Sequence, residues 1–205
     1  MRTAGLAIAT VLAFAGVVSA QESRVDFAIN GAGVFSKTTS SNNGFITDKP
    51  TKSIAVIGTV RYHFAPKHAI EFNIGHTNNS QILSAAPNSY RVISSITEFT
   101  ADYVFRPHSF WRLEPFIFAG GGGLRFNPGN TYINTFPATL GAAQQTSLAF
   151  LYGGGTDYRV WRRLALRLQY RGLLYKEPDF NLPALFFSGA RAHMAEPSAG
   201  IVFKF

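Results

Sequence analysis

The side chains with most scope for chemistry are a histidine and a serine in Gly75-His76-Thr77-Asn78-Asn79-Ser80. A histidine can take the proton of a serine hydroxyl and so create a nucleophile, provided a carboxylate orients its ring. No acid shares the face of His76 nearby, so no catalytic residue is assigned and no enzymatic activity is expected. His63, beside Arg61, reads as an interior polar filler, and His68, His108 and His193 are scattered, with no two at a spacing that would build a metal site. The count of zero Cys excludes thiol nucleophiles, a disulfide scaffold and thiolate metal sites. Neither a cofactor nor a metal is expected.

The chain does carry charge in a pattern. Only 15% of its 205 residues are charged, against about a quarter in ordinary soluble domains. In the mature chain the mid-segment charges fall on the parity opposite a stripe of aliphatic and aromatic residues. The set is Asp26, Glu71, Glu98, Asp102, Asp157 and Glu196 with Arg61, Arg125, Arg159, Arg167, Arg171 and Lys204, as many acids as bases. If the apolar stripe meets lipid, these side chains point inward, because an Arg or Lys on a lipid-facing strand costs roughly 2–4 kcal/mol near the bilayer midplane. The expectation is an interior ion-pair network and not a pore lining. The excess of base, +8 overall, then lies outside the wall, at Lys67, Arg106, Arg112, Arg162 and Arg163, where anionic lipid headgroups are its simplest partners. No basic helix or interleaved basic and aromatic face supports nucleic-acid binding.

The elements that must hold such a pattern are strands. From Leu164 to Leu174, Leu and Tyr residues alternate with Arg167, Gln169 and Arg171, which is period two. The same alternation recurs from Val25, Val56, Ile70, Thr97, Phe116, Tyr152 and Ala199, giving eight candidate strands. In the segment from Phe116 the expectation is that Phe116, Phe118, Leu124 and Phe126 face outward and Arg125 inward. Short basic turns at Ala65-Pro66-Lys67, Arg106-Pro107-His108 and Trp161-Arg162-Arg163 alternate with long loops at Lys37–Lys52, Thr77–Arg91, Asn127–Thr146 and Lys176–Arg191. That layout is all-β: an eight-stranded antiparallel up-and-down transmembrane barrel, with turns on one rim and loops on the other. Aromatics such as Tyr62, Phe64, Tyr103, Phe105 and Tyr158 gather near the short turns, as an interfacial girdle does.

The first twenty residues read as an address. Arg2 precedes the uncharged run from Gly5 to Val18, and Val18-Ser19-Ala20 supplies a small-residue cleavage site. The expected division is a signal peptide over 1–20 and a barrel domain over 21–205. No later stretch reaches the ~18 apolar residues of a membrane-spanning helix.

Three segments carry a resemblance. The end, Ser198-Ala199-Gly200-Ile201-Val202-Phe203-Lys204-Phe205, resembles the C-terminal signal read by the barrel-assembly machinery, with Ser198, Gly200, Phe203 and Phe205 as its marks. Gly153-Gly154-Gly155-Thr156-Asp157-Tyr158-Arg159-Val160 with Leu164 to Arg171, and Glu114-Pro115-Phe116-Ile117-Phe118-Ala119-Gly120, resemble strands of the OmpA/OmpX-like eight-stranded outer-membrane proteins. The resemblance implies an integral protein of the outer membrane of a Gram-negative-type bacterium. Its polar interior is expected to be filled, its partners to be membrane lipids and the assembly machinery, and its four extracellular loops to be available to an external partner. Larger relatives carry a peptidoglycan-binding domain after the barrel, and none is expected beyond Phe205. A lipid-modifying deacylase is the rival reading, but its His-x-Ser-Asn pattern is not met by Thr77 and Asn78. A secreted lipocalin-like carrier would need an apolar interior, opposite to the charge pattern.

Overall fold

The computed structural model describes residues 24–40, 47–85, 88–134, 136–138, 140–181 and 190–205; the expected signal peptide lies outside them. Eight long strands carry the fold. They are β1 (Val25–Ser36), β2 (Ser53–Ala65), β3 (His68–Ala85), β4 (Asn88–Phe105), β5 (Leu113–Ile133), β6 (Gln145–Trp161), β7 (Leu164–Lys176) and β8 (Arg191–Lys204). Each pairs antiparallel with its neighbour in sequence, and β8 returns to β1 with Asp26 opposite Lys204 and Ile29 opposite Ile201. Pairing of the first strand with the last closes the sheet into a barrel and leaves no open edge for lipid to meet.

Alternation decides which side chains line the wall. In β1 and β7 every second residue is buried, and the residues between them are exposed or half-buried except Gly172. The outward set is large and apolar, with Ile29, Phe72, Ile74, Phe99, Leu168 and Tyr170 between 43% and 65% exposed. At the short-turn rim Phe64, His68, Tyr103 and Phe105 pack as neighbouring rings, with centroids 5.5 to 6.5 Å apart.

Two expectations are corrected. The stretch Thr77–Arg91 is largely strand and not loop, since β3 and β4 run in register from His68 opposite Phe105 to Ala85 opposite Asn88, and the first part of Asn127–Thr146 is strand as well, since β5 continues to Ile133. Residues 37–52 likewise contribute two short ladder strands, Thr39–Ser40 and Thr47–Pro50, the second paired with β3. Hairpin pairing of the polar Thr, Asn and Ser residues satisfies their backbone groups better than an open loop would. A tilted membrane-crossing strand needs about 9–11 residues. The 18 residues of β3, 18 of β4 and 21 of β5 exceed that, and the surplus rises on the side away from the short turns.

The second correction is the face of β5. Phe116, Phe118, Leu124 and Phe126 are buried, and Ile117 and Arg125 face outward. The physical reason is space. Glycines fill β5 and β6 at this level, and a Cβ on Gly153 would stand 2.6 Å from the Phe118 ring. The phenylalanines occupy the room that the glycines leave.

Candidate functional site

The barrel interior divides into two layers. The layer nearer the short turns is ionic. Arg61 donates from Nε to Glu71 Oε2 at 2.6 Å and from Nη1 to Asp157 Oδ2 at 3.4 Å. Arg167 meets Asp157 through Nε at 2.8 Å and Nη2 at 3.0 Å, and Glu71 through Nη1 at 3.3 Å. Both guanidinium groups lie over the Phe116 ring, 4.3 and 5.1 Å from its centroid, so the buried ring contributes a cation–π surface between them. Higher up, Arg171 is held by Glu196 at 2.8 Å and by Glu98. Strand register explains these partners: Arg171 is directly opposite Glu196, Arg167 opposite Asp157, and Arg61 opposite both Asp26 and Glu71.

At the short-turn mouth a further carboxylate gathers cations. Glu114 Oε2 accepts from Lys204 Nζ at 2.6 Å and Arg106 Nη2 at 2.5 Å, and Arg159 Nε stands 3.5 Å from Oε1. Beside it, His63 Nε2 is 2.7 Å from Asp26 Oδ2. Asp102 is buried next to Glu71 and accepts from Asn73 Nδ2 at 3.1 Å.

Of the twelve charged residues expected inside, all but Arg125 and Arg159 are buried. Arg159 lies at the mouth, exposed, and reaches the network through Glu114. Arg125 is outside the wall, a correction that follows from the reversed face of β5. Glu114 and Arg106 belong to the network and were missed, whereas His63, expected as an interior polar filler, takes its place there beside Asp26. The signal for Glu114 was its parity: it shares a face with Phe116 and Phe118, and it opposes Arg125. One of those two charges had to lie outside.

The layer nearer the long hairpins is apolar, which the expectation of a uniformly polar interior did not include. Ile57, Ile96, Leu124, Phe126, Leu151, Leu173 and Met194 fill it, each no more than 3% exposed. Above them the segment after β7 turns inward at Phe180, which is 2% exposed with φ of 50°. Its ring meets Phe126 edge-on at 6.3 Å, and its backbone N–H, with that of Asp179, donates to Gln145 Oε1. Positive φ is costly for a non-glycine residue, and the buried ring and these two hydrogen bonds hold it. A gap of about 10 Å³ lies beside Glu98 and Met194, room for about one water.

The two residues of the rival reading differ in their setting. His76 faces outward with Nδ1 3.4 Å from Thr97 Oγ1, and Ser80 is buried with Oγ 3.4 Å from Arg91 Nη2. The two side chains do not contact one another among the described hydrogen bonds. Of the terminal residues, Ser198 is buried, Gly200 lies against Asn30, and Phe203 faces outward. Phe205 packs edge-on against Phe27 at 5.8 Å, where β1 and β8 join.

No protein-family model matches the sequence, and no curated protein matches it. Solved structures do match in fold. Neisserial surface protein A superposes with a TM-score of 0.55 at 15% identity, covering 91% of this chain and 100% of that one. The outer membrane protein OprG from Pseudomonas aeruginosa gives 0.55 at 13% identity, over 90% and 97%. This chain is an eight-stranded barrel of the outer-membrane type. The attachment invasion locus protein Ail of Yersinia pestis, solved with the heparin analogue sucrose octasulfate, also shares the fold, with 0.53 at 13% identity over 90% and 100%. The likeness to OmpA/OmpX-like proteins therefore holds for the architecture. The closed wall and its apolar exterior are those of a protein of the bacterial outer membrane. An apolar outside around an ionic inside is the reverse of a lipocalin-like carrier.

Proposed function

We propose that this outer-membrane barrel is non-catalytic and acts through the surface it presents beyond the bilayer. The observation that carries the reading is the combination of an interior packed with buried side chains, among the described residues, with strands longer than the membrane requires. A filled lumen offers no passage, which turns attention to the outside. From His76 to Ala85, β3 continues past the apolar belt for about 30 Å at roughly 3.3 Å per residue, paired with β4 throughout. Extended sheet of this kind displays side chains on a rigid support, a good arrangement for contact with an external partner. The membrane lipids around the belt are its other partners. The terminal Phe203 and Phe205 are assigned to recognition by the barrel-assembly machinery.

The test begins with outer-membrane fractions run on a gel in mild SDS, boiled and unboiled. A band that shifts on boiling is the expected result. Tyr170→Arg, which puts a charge midway along the lipid face of β7, is expected to reduce the shifted fraction, since that substitution costs about 2–4 kcal/mol at the midplane. Excision of the hairpin tip between Gln81 and Val92 is expected to leave the shift intact while abolishing binding of intact cells to host-cell or matrix surfaces. A soluble, unshifted protein, or surface binding indifferent to the tip, would overturn the reading.

A further inference from the structure

The outside of the barrel is not uniformly convex. Across β3, β4 and β5 the outward positions form three successive rows set by the strand register. Phe72, Ala101 and Gly121 make the first; Ile74, Phe99 and Gly123 the second; His76, Thr97 and Arg125 the third. Small residues in the first row, with Gly58 on β2, leave a groove of about 1040 Å³ that is walled by Phe27, Ile29, Phe72, Ile74 and Phe99 and extends to Val25 and Phe205 at the short-turn rim. The rows are about 7 Å apart along the strand. The groove therefore runs through the apolar belt and reaches its outer edge one row below Arg125.

Arg125 is the unusual member. It projects from the lipid face of β5, exposed, flanked in register by Thr97 and Thr146, and it forms no ion pair among the described residues. Every other strand-borne arginine of the wall below it meets a carboxylate: Arg61, Arg167, Arg171 and Arg159 all do. An exposed guanidinium one row beyond an apolar groove, with a threonine opposite it on each neighbouring strand, is complementary to a phosphate attached to an acyl chain. His76, in the same row, adds a ring nitrogen that already contacts Thr97.

We propose that this groove is a specific site for one phosphate-bearing lipid of the outer leaflet, with an acyl chain against Ala101 and Gly121 and the phosphate on Arg125. The inference rests on the reading of the belt as lipid-facing. It goes beyond that reading, because ordinary boundary lipid would need neither a groove nor an unpaired cation. The chain direction follows from the barrel: short turns face the periplasm and long hairpins the exterior, so the Arg125 row lies at the outer headgroup level.

The test is native mass spectrometry of the refolded chain in detergent, with dioleoyl phosphatidate and dioleoylglycerol as probes of equal acyl content. One retained phosphatidate is expected, held about tenfold more tightly than the diacylglycerol, as one charge-assisted contact would give. Arg125→Gln is expected to erase that difference, and Ala101→Phe, which fills the groove, to weaken both lipids. Equal retention of the two probes by the unaltered chain would overturn the proposal, and so would indifference to both substitutions. A lipid-free dimer dispersed by Ala101→Phe would assign the groove to a second copy instead. The two lipids on the unaltered chain decide the matter even where Ala101→Phe does not fold. Failure of the chain to insert into phosphatidylcholine vesicles would count against the lipid-facing belt itself, an outcome separate from loss of phosphate preference.

Discussion

Arg171 sits between Glu98 and Glu196, almost wholly buried, and its removal would leave two carboxylates in the barrel interior without their cation. Breaking a buried ion pair by deleting one partner costs about 3–5 kcal/mol, whereas exchanging all partners for neutral groups of similar volume is often neutral. Arg171→Met is therefore expected to lower stability by about that amount, measured as the urea midpoint of the heat-shifted band in vesicles. Combining it with Glu98→Gln and Glu196→Gln should recover most of the loss. Arg125→Gln, a control outside the wall, should stay within about 0.5 kcal/mol. The sequence made this cluster legible because each member lies on the polar parity of a clearly alternating strand. Glu114 was not legible in the same way. Its charge stands beside Pro115 and two phenylalanines that look like lipid anchors, and only the three cations brought to it from Arg106, Arg159 and Lys204 reveal its place.

At the scale of the element, β5 is where alternation misleads. Its phenylalanines and Leu124 occupy the inner parity, and after Ile117 its outer parity holds Ala119, Gly121 and Gly123, too small to signal a lipid face. Hydrophobicity alone assigns the Phe stripe outward. The deciding information is volume: glycines on β5 and β6 empty the interior at one level, and Phe116 and Phe118 fill it. The same closeness makes the glycines irreplaceable. A Cβ on Gly122 would stand 2.0 Å from the Phe99 carbonyl oxygen, so β4 and β5 would have to part. Gly122→Ala is expected to cost about 1–3 kcal/mol or more, as overpacking does, and to reduce the heat-resistant fraction. Gly31→Ala, whose added methyl meets nothing within 4 Å on the outer face of β1, should leave that fraction unchanged. The lengths of β3 and β4 escaped the sequence for a related reason. Polar Thr, Asn and Ser residues read as loop, yet they pair as strand once the neighbouring apolar segments fix the register.

For the whole molecule, the two interior layers act as seals in series. The ionic layer closes the periplasmic half with guanidinium and carboxylate groups held to one another. The apolar layer closes the outer half with Ile57, Leu124, Phe126 and Leu151, capped by Phe180. An ion crossing the first layer would need to displace paired charges, and in the second it would find no polar partner to replace its water. Either layer alone suffices to block a steady current. Planar bilayers containing the purified chain are therefore expected to show no sustained conductance. Phe180→Ala removes the cap and leaves both layers beneath it, so it should remain silent as well, although the outer mouth becomes accessible. A persistent current through the unaltered chain would mean that the interior rearranges in the bilayer. A current through Phe180→Ala alone would make Phe180 the only barrier and the packed layers below it permeable.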